Sequence, residues 1–107
     1  MNTVSNDSVR ATLALNNLHQ VIDPEIGVNI VDLGLVYRLF FDAQAQKVTC
    51  TMTLTTPYCP MGEAITNNVR EVLSQTFPEE EIEIVLTFEP AWNYEMISNE
   101  GRAFLNI

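Results

Sequence analysis

The chain has 107 residues, of which 47% are hydrophobic, and fourteen acidic against five basic side chains give it a formal net charge of −9. This length predicts a single domain, residues 1–107, whose core needs no disulfide or metal to hold it together. The charge argues against nucleic acid and membrane partners, since both surfaces are anionic and the basic residues form no stripe. The chain contains no apolar run of the ~20 residues that cross a bilayer and no secretory signal at its start, so a cytoplasmic protein is expected.

The first predicted element is a helix that starts among the capping residues Ser5 to Ser8 and ends near Val21. The sequence Asp23-Pro24-Glu25-Ile26-Gly27 then ends the helix, because a residue before proline avoids the helical conformation and glycine permits a positive φ. Asp23 is interpreted as a cap for N–H groups within this turn.

A long apolar run from Asn29 to Leu39 predicts a strand covered on both faces, with a bend or bulge at Gly34. Asp32 interrupts this run. It marks the boundary between loop and strand or satisfies backbone groups there, and we favour the boundary.

A polar reversal at residues 42–47 predicts a hairpin into a second strand from Val48 to Thr56, in which Cys50 points into the core. A helix from Pro60 to Ser74 then leads to a third strand, Ile82 to Phe88. A right-handed crossover of this kind places the third strand parallel to the second. In the last segment, Asn93 is predicted to cap a short helix that is closed by Gly101.

These elements follow the order α-β-β-α-β-α. They predict an α/β (α+β) fold with a small mixed sheet of about three strands packed against helices.

The turn between the second strand and its helix contains the residue with the clearest potential for chemistry. Pro60 suits a first helical position, which puts Cys59 at or next to the N-cap. There the backbone N–H groups of Met61, Gly62 and Glu63 and the helix dipole favour thiolate over thiol. Two observations stand against a reactive thiol: cysteine is a common buried hydrophobe, and the Glu63 carboxylate raises a nearby thiol pKa.

The neighbours of Cys59 can be predicted from the sheet. Ligand sites gather at the carboxyl ends of parallel strands, and Trp92 follows the third strand as Cys59 follows the second. The two residues are therefore expected to be close, with Trp92 acting as a lid or as an anchor for the last helix. Two cysteines and one histidine do not complete a four-ligand structural zinc site within one chain unless carboxylates contribute. A metal at Cys59 would need ligands from a second subunit, a partner or a small thiol.

Three segments together resemble one family, which was long called a domain of unknown function and includes bacterial SufT, the PaaD proteins and the eukaryotic cytosolic iron-sulfur targeting subunit. The segments are Asp23-Pro24-Glu25-Ile26-Gly27 continuing to Asn29 through Tyr37, Met52 through Gly62, and Trp92 with Glu95 through Ser98 and Gly101-Arg102. The resemblance covers about residues 8–103. The sequence does not contain the cysteine-rich tail of PaaD proteins, which favours a SufT-like protein.

The resemblance implies a domain of the iron-sulfur cluster assembly type that helps to mature iron-sulfur proteins. It places the reactive cysteine of the family on Cys59, which would also be the metal ligand. It also places the acidic loop residue of the family on Asp23 and its tryptophan segment on Trp92. We expect Thr55 and Thr56 to shape the same pocket, and the helix-end residues Met61 and Gly62 to complete it.

The resemblance also implies a cargo and partners. The cargo is a transiently held iron-sulfur cluster or iron, the partners are iron-sulfur assembly proteins and client apo-proteins, and a homodimer is compatible with it. Two alternatives stay open on the residues alone: a thiol-dependent enzyme, and an interaction module in which the cysteine is incidental.

Overall fold

A computed structural model describes residues 3–57 and 61–107 of the chain. Capping residues and apolar periodicity set its elements, which run in the order β1 (Val4–Ser5), α1 (Ser8–Leu18), α2 (Ile30–Leu33), β2 (Val36–Asp42), β3 (Lys47–Met52), α3 (Gly62–Thr76), β4 (Glu81–Leu86), a 3₁₀ turn (Tyr94–Met96) and α4 (Asn99–Leu105).

The described strands form one mixed sheet in the order β1-β2-β3-β4. The β2–β3 hairpin is antiparallel and β4 lies parallel to β3, as the sequence predicts. The sheet gains a fourth strand because the two-residue β1 pairs with β2, and a strand this short has no alternation from which to predict it. The predicted α/β fold is confirmed.

The first predicted strand is wrong over its amino-terminal half, where the chain forms the short helix α2. The Asn29 side chain accepts a hydrogen bond from the backbone N–H of Asp32, and Gly34 ends the helix in the left-handed conformation at φ 80°. Asp32 therefore lies in the first turn of a helix and does not mark a boundary between loop and strand. Four apolar residues flanked by an N-cap and a C-terminal glycine suit one helical turn as well as they suit a strand.

Several predicted boundaries also shift. The helix α3 begins at Gly62, with Met61 as its N-cap, and the predicted first residue, Pro60, lies outside the described residues. The strand β3 ends at Met52 and not at Thr56, and Gly101 lies inside α4 and does not end it.

The core lies between the sheet and the helices α1 and α3, which pack on one face of the sheet. Its largest fully buried apolar side chains are Leu18, Ile30, Leu33, Leu35, Leu39, Met52, Ile65, Leu73, Val48 and Val69. None of the helices formed by the described residues is long and apolar enough to cross a membrane.

Candidate functional site

The carboxyl ends of β3 and β4 meet at one edge of the sheet. The strands are adjacent and parallel, with Met52 opposite Leu86, and the backbone N–H of Thr87 donates to the Met52 carbonyl at 2.9 Å. The segments that follow the two strands, residues 53–57 and 87–92, therefore begin next to each other, at the same end of the two strands. The predicted proximity of Cys59 and Trp92 requires β3 and β4 to be neighbours in the sheet, and the structure shows that they are. Cys59 lies outside the described residues, so that proximity stays a prediction.

The amino terminus of α3 lies close to the end of β3 because residue 62 is glycine. Gly62 is buried, and a Cβ at this position would lie 2.6 Å from Leu54 Cδ1. The N-cap Met61 makes no side-chain capping hydrogen bond, and its own side chain is exposed. Within the part of the chain that the structure describes, no side chain thus caps the first amides of α3, at the end of the predicted cysteine turn.

Thr55 and Thr56 lie in the bend that follows β3, and both are half-buried. Thr53, two residues before Thr55, is buried, and its backbone N–H donates to the Leu35 carbonyl at 2.9 Å. This contact ties the start of the predicted site to the segment between α2 and β2.

Asp23 is buried within the loop that follows α1, with 1% of its surface exposed. One carboxylate oxygen, Oδ1, accepts a hydrogen bond from the Glu25 backbone N–H at 2.9 Å, which confirms the predicted turn-capping role. The other oxygen, Oδ2, is buried and has no hydrogen-bond partner among the described residues. The hydrogen bonds that Asp23 makes with described residues stay inside its own loop, so they do not join it to the threonines, to Gly62 or to Trp92.

Trp92 is held by its indole nitrogen. The Nε1–H donates to the Leu33 carbonyl at 2.6 Å, and the ring packs edge-on against Tyr94 with centroids 5.3 Å apart. The Tyr37 hydroxyl donates to the Pro90 carbonyl at 2.7 Å and fixes the same segment from the sheet. These contacts support the anchor interpretation over a mobile lid. The sequence analysis gave no role to Tyr37 or Leu33.

Asp32 joins α2 to the start of α4, a role that the sequence analysis missed. Its Oδ2 accepts from the Asn29 side chain at 2.7 Å, and its Oδ1 accepts from the Ser98 hydroxyl at 3.0 Å. Its carbonyl also accepts from the Ser98 backbone N–H at 2.7 Å. The only signal in the sequence was an acidic residue inside an apolar run.

Cys50 is buried in β3, as predicted, and burial raises the pKa of its thiol to about 12. It is therefore a neutral thiol at physiological pH and neither a nucleophile nor a metal ligand. Among residues 3–57 and 61–107, no three His, Cys, Asp or Glu side chains are grouped so that they could hold a metal ion. The chain has one other cysteine, Cys59, which follows β3 in the sequence and lies outside the described residues.

Comparisons with known proteins agree on one family. The sequence model of the family described as iron-sulfur cluster assembly protein matches residues 12–86. An Fe-S protein maturation auxiliary factor of Porphyromonas gingivalis is 46% identical over 84 residues, which cover 78% of this chain and 79% of that protein. The auxiliary factor SufT of Staphylococcus aureus is 38% identical over 87 residues, covering 81% of this chain and 98% of SufT.

A solved structure shows the same fold. The crystal structure of a domain of unknown function from Bacillus anthracis superposes with a TM-score of 0.86 at 40% sequence identity, and the match covers 94% of each chain.

Proposed function

This chain belongs to the iron-sulfur cluster assembly protein family and is an accessory factor in the maturation of iron-sulfur proteins, and we propose that it performs this role through the thiolate of Cys59. The observation that carries the proposal is the contrast between the two cysteines. Cys50 is buried in the sheet, which raises the pKa of its thiol to about 12, whereas Cys59 belongs to the segment of the chain between the carboxyl end of β3 and the amino end of α3. Segments that follow the carboxyl ends of parallel strands are where α/β proteins place ligands.

The described surroundings of the turn support an ionised thiol. The N-cap of α3, Met61, makes no side-chain capping hydrogen bond, so among the described residues no cap side chain competes with a negative charge for the first N–H groups of the helix. Gly62 allows this helix end to pack directly against Leu54 at the end of β3. In the proposal Met61 and Gly62 supply these amides, while Thr55, Thr56 and Trp92 form the walls.

Asp23 contributes the unpartnered oxygen Oδ2. A buried carboxylate oxygen without a donor is uncommon, because an unpaired buried polar atom costs about 1–3 kcal/mol. We assign it to the proposed site as an acceptor that a bound species would satisfy.

The proposed cargo is iron or an iron-sulfur cluster that is held transiently. One thiolate cannot complete the coordination of either, so further ligands would come from a second subunit, a partner or a small thiol. Incomplete ligation suits a protein that passes its cargo on. The proposed partners are the iron-sulfur assembly proteins and the client apo-proteins, and the proposed location is the cytoplasm.

The decisive experiment replaces each cysteine in turn. In cells that lack this protein, the Cys59→Ser variant is expected to leave iron-sulfur client enzymes with reduced activity, although the variant folds normally. Cys50→Ala is the matched control, because it removes a thiol that is buried and neutral, and it is expected to restore the clients. Client activities that are equal with wild type and Cys59→Ser would overturn the proposal.

Alkylation tests the thiolate directly. Because Cys50 is buried, iodoacetamide is expected to modify one thiol per folded chain, with a rate that titrates below the free-cysteine pKa of about 8.5. An ordinary rate that titrates near 8.5 would favour an interaction module with an incidental cysteine. Anaerobic reconstitution with iron and sulfide, followed by absorption spectra of wild type and Cys59→Ser, would show whether the cargo binds at this residue.

A further inference from the structure

A cavity opens on the face of the sheet that is turned away from α1 and α3. Arg38 of β2 lies opposite Val4 of β1 and Thr51 of β3, so three adjacent strands contribute to its floor. Its volume of about 410 Å³ falls within the range of roughly 300–1,000 Å³ that is usual for small-molecule sites. We call it the sheet-face cavity, and it is lined by Val4, Tyr37, Arg38, Thr51, Thr87, Glu89 and Pro90.

Hydrogen bonds hold the wall of the sheet-face cavity that follows β4. The backbone N–H of Thr87 donates to the Met52 carbonyl at 2.9 Å, and the backbone N–H of Glu89 donates to Thr87 Oγ1 at 3.2 Å. The Tyr37 hydroxyl donates to the Pro90 carbonyl at 2.7 Å, which ties the far end of this wall to β2. A ligand therefore does not have to order the wall when it binds, and this lowers the cost of binding.

Two side chains of opposite charge, Arg38 and Glu89, line the sheet-face cavity, and both residues are exposed. Neither side chain makes an ion pair or a hydrogen bond with another residue in the ranges 3–57 and 61–107. The other basic side chains all have partners there, in ion pairs for Arg10 and Lys47 and in hydrogen bonds for Arg70 and Arg102. The fold thus leaves both charges of the cavity available to a ligand.

These two charges restrict the charge of the ligand. The net charge of −9 repels an anion, and Glu89 adds to that repulsion inside the cavity. A cation is repelled by Arg38. A molecule that has one carboxylate and one ammonium group carries no net charge, so the field of the whole chain does not oppose it, and each of its ends meets an opposite charge.

The spacing of the strands restricts the length of the ligand. Arg38 is on β2 and Glu89 follows β4, and the two strands are separated by β3. Two strand spacings amount to about 9.6 Å. An extended peptide spans about 3.3–3.6 Å per residue, so two or three residues bridge this distance. Thr51 of β3 lies between the two charges, and its hydroxyl can donate to or accept from the amides of such a peptide.

We propose that the sheet-face cavity binds a zwitterionic peptide of two or three residues, whose free carboxylate pairs with Arg38 and whose free ammonium pairs with Glu89. Recognition depends on the two free ends, because the charged groups of the cavity are directed to them and not to the side chains of the peptide. The inference is independent of the proposed function, since it requires neither Cys59 nor a metal.

The test compares triglycine with its two capped forms. Binding is measured from amide chemical shifts in two-dimensional NMR spectra of the full chain during titration. N-acetyltriglycine lacks the ammonium and triglycinamide lacks the carboxylate, and each is expected to bind roughly tenfold more weakly, which is the lower end of what a hydrogen bond between charged groups contributes. The shifts are expected to concentrate at Arg38, Thr51 and Thr87. Triglycine has no thiol, so the result does not depend on the chemistry of Cys59.

Two variants assign each end of the peptide to its partner. Arg38→Gln is expected to abolish the preference for triglycine over triglycinamide and to keep the preference over N-acetyltriglycine, and Glu89→Gln is expected to do the reverse. Arg70→Gln and Glu71→Gln make the same charge changes at exposed positions on α3 and should retain both preferences. Each preference is a ratio within one protein, so a small loss of stability does not imitate the effect. Triglycine that shifts no amide of the cavity, capped forms that bind as tightly as triglycine, or preferences that persist in Arg38→Gln and Glu89→Gln would overturn the proposal.

Discussion

Burial of Cys50 makes the stability of the folded chain depend on pH in the alkaline range. Its pKa rises from 9.0 to about 12 in the folded chain, so the unfolded chain loses this proton first as the pH increases. The contribution of the neutral thiol to stability is therefore complete below pH 9.0 and is lost toward pH 12, at about 1.4 kcal/mol per pH unit. Cys50→Ala is expected to be less stable at neutral pH but to lack this slope.

Urea unfolding on both sides of pH 9.0 measures the difference between wild type and Cys50→Ala. Burial also raises the pKa of Tyr37, which adds a slope of the same sign to both proteins and cancels in the comparison. Equal slopes in the two proteins would show that Cys50 does not titrate as its burial requires.

The indole hydrogen bond of Trp92 gives a second prediction for a single residue. Trp92→Phe keeps an aromatic ring but removes the donor to the Leu33 carbonyl, and Leu33 is fully buried. We expect a loss of about 1–3 kcal/mol in the free energy of unfolding, because a buried acceptor is left unpaired. Tyr94→Phe is the matched control at an exposed aromatic and should cost less than ~0.5 kcal/mol. Equal losses for the two variants would contradict the anchor.

Among the secondary structure elements, the short helix α2 depends on Gly34 at its carboxyl end. A second glycine with positive φ, Gly27, provides a control for testing this dependence. Gly34 and Gly27 both have positive φ, at 80° and 84°. A Cβ on Gly34 would overlap the backbone carbonyl of Met96, whereas a Cβ on Gly27 would meet no atom within 4 Å. Gly27→Ala should therefore cost only the backbone strain of about 1–2 kcal/mol, and Gly34→Ala clearly more.

Chemical denaturation of the two glycine variants measures that difference. An additional fall in Trp92 fluorescence anisotropy or a shift in its emission is expected for Gly34→Ala alone, because the 3₁₀ turn that Gly34 supports follows Trp92 in the chain. Equal costs at the two glycines would mean that the segment around Met96 moves aside freely.

The same region shows how far the sequence predicts the elements. The hairpin, α1, α3 and β4 were predictable because alternation and helical spacing extend over six residues or more in each. The short helix α2 was not, because its four apolar residues carry no distinguishable period. Asn29 and Gly34 were the available signals, as an N-cap and a C-terminal glycine separated by a single turn.

For the candidate site, the sequence predicted where its segments leave the sheet but not what holds them. The positions of Thr55, Gly62 and Trp92 after parallel strands follow from connectivity alone. The bond from Trp92 to Leu33 and the one from Tyr37 to Pro90 join residues more than fifty positions apart, which no local pattern encodes. The unpartnered oxygen of Asp23 likewise appears only once the surrounding loop is folded.

At the scale of the whole molecule, unbalanced charge decides how salt acts on stability. Nine negative charges remain after every basic residue is counted against an acid, within a radius of gyration of 13.2 Å. The Debye length is about 30 Å at 0.01 M ionic strength and about 8 Å at 0.15 M. At low salt all of these charges therefore repel one another, and at physiological salt only near neighbours do. Salt also weakens attractive ion pairs, but with five basic residues in the chain these are few. One of them, between Arg10 and Glu80, is partly shielded from solvent ions because the Arg10 guanidinium packs over the rings of Phe41 and Phe77.

We therefore expect the Tm to rise with NaCl over this range, because screening relieves more repulsion than attraction. Differential scanning calorimetry at ionic strengths of about 0.01 M and about 0.15 M measures this change. A Tm that falls with salt would mean that the few ion pairs, such as Lys47 with Glu81 and Glu83, outweigh the net charge.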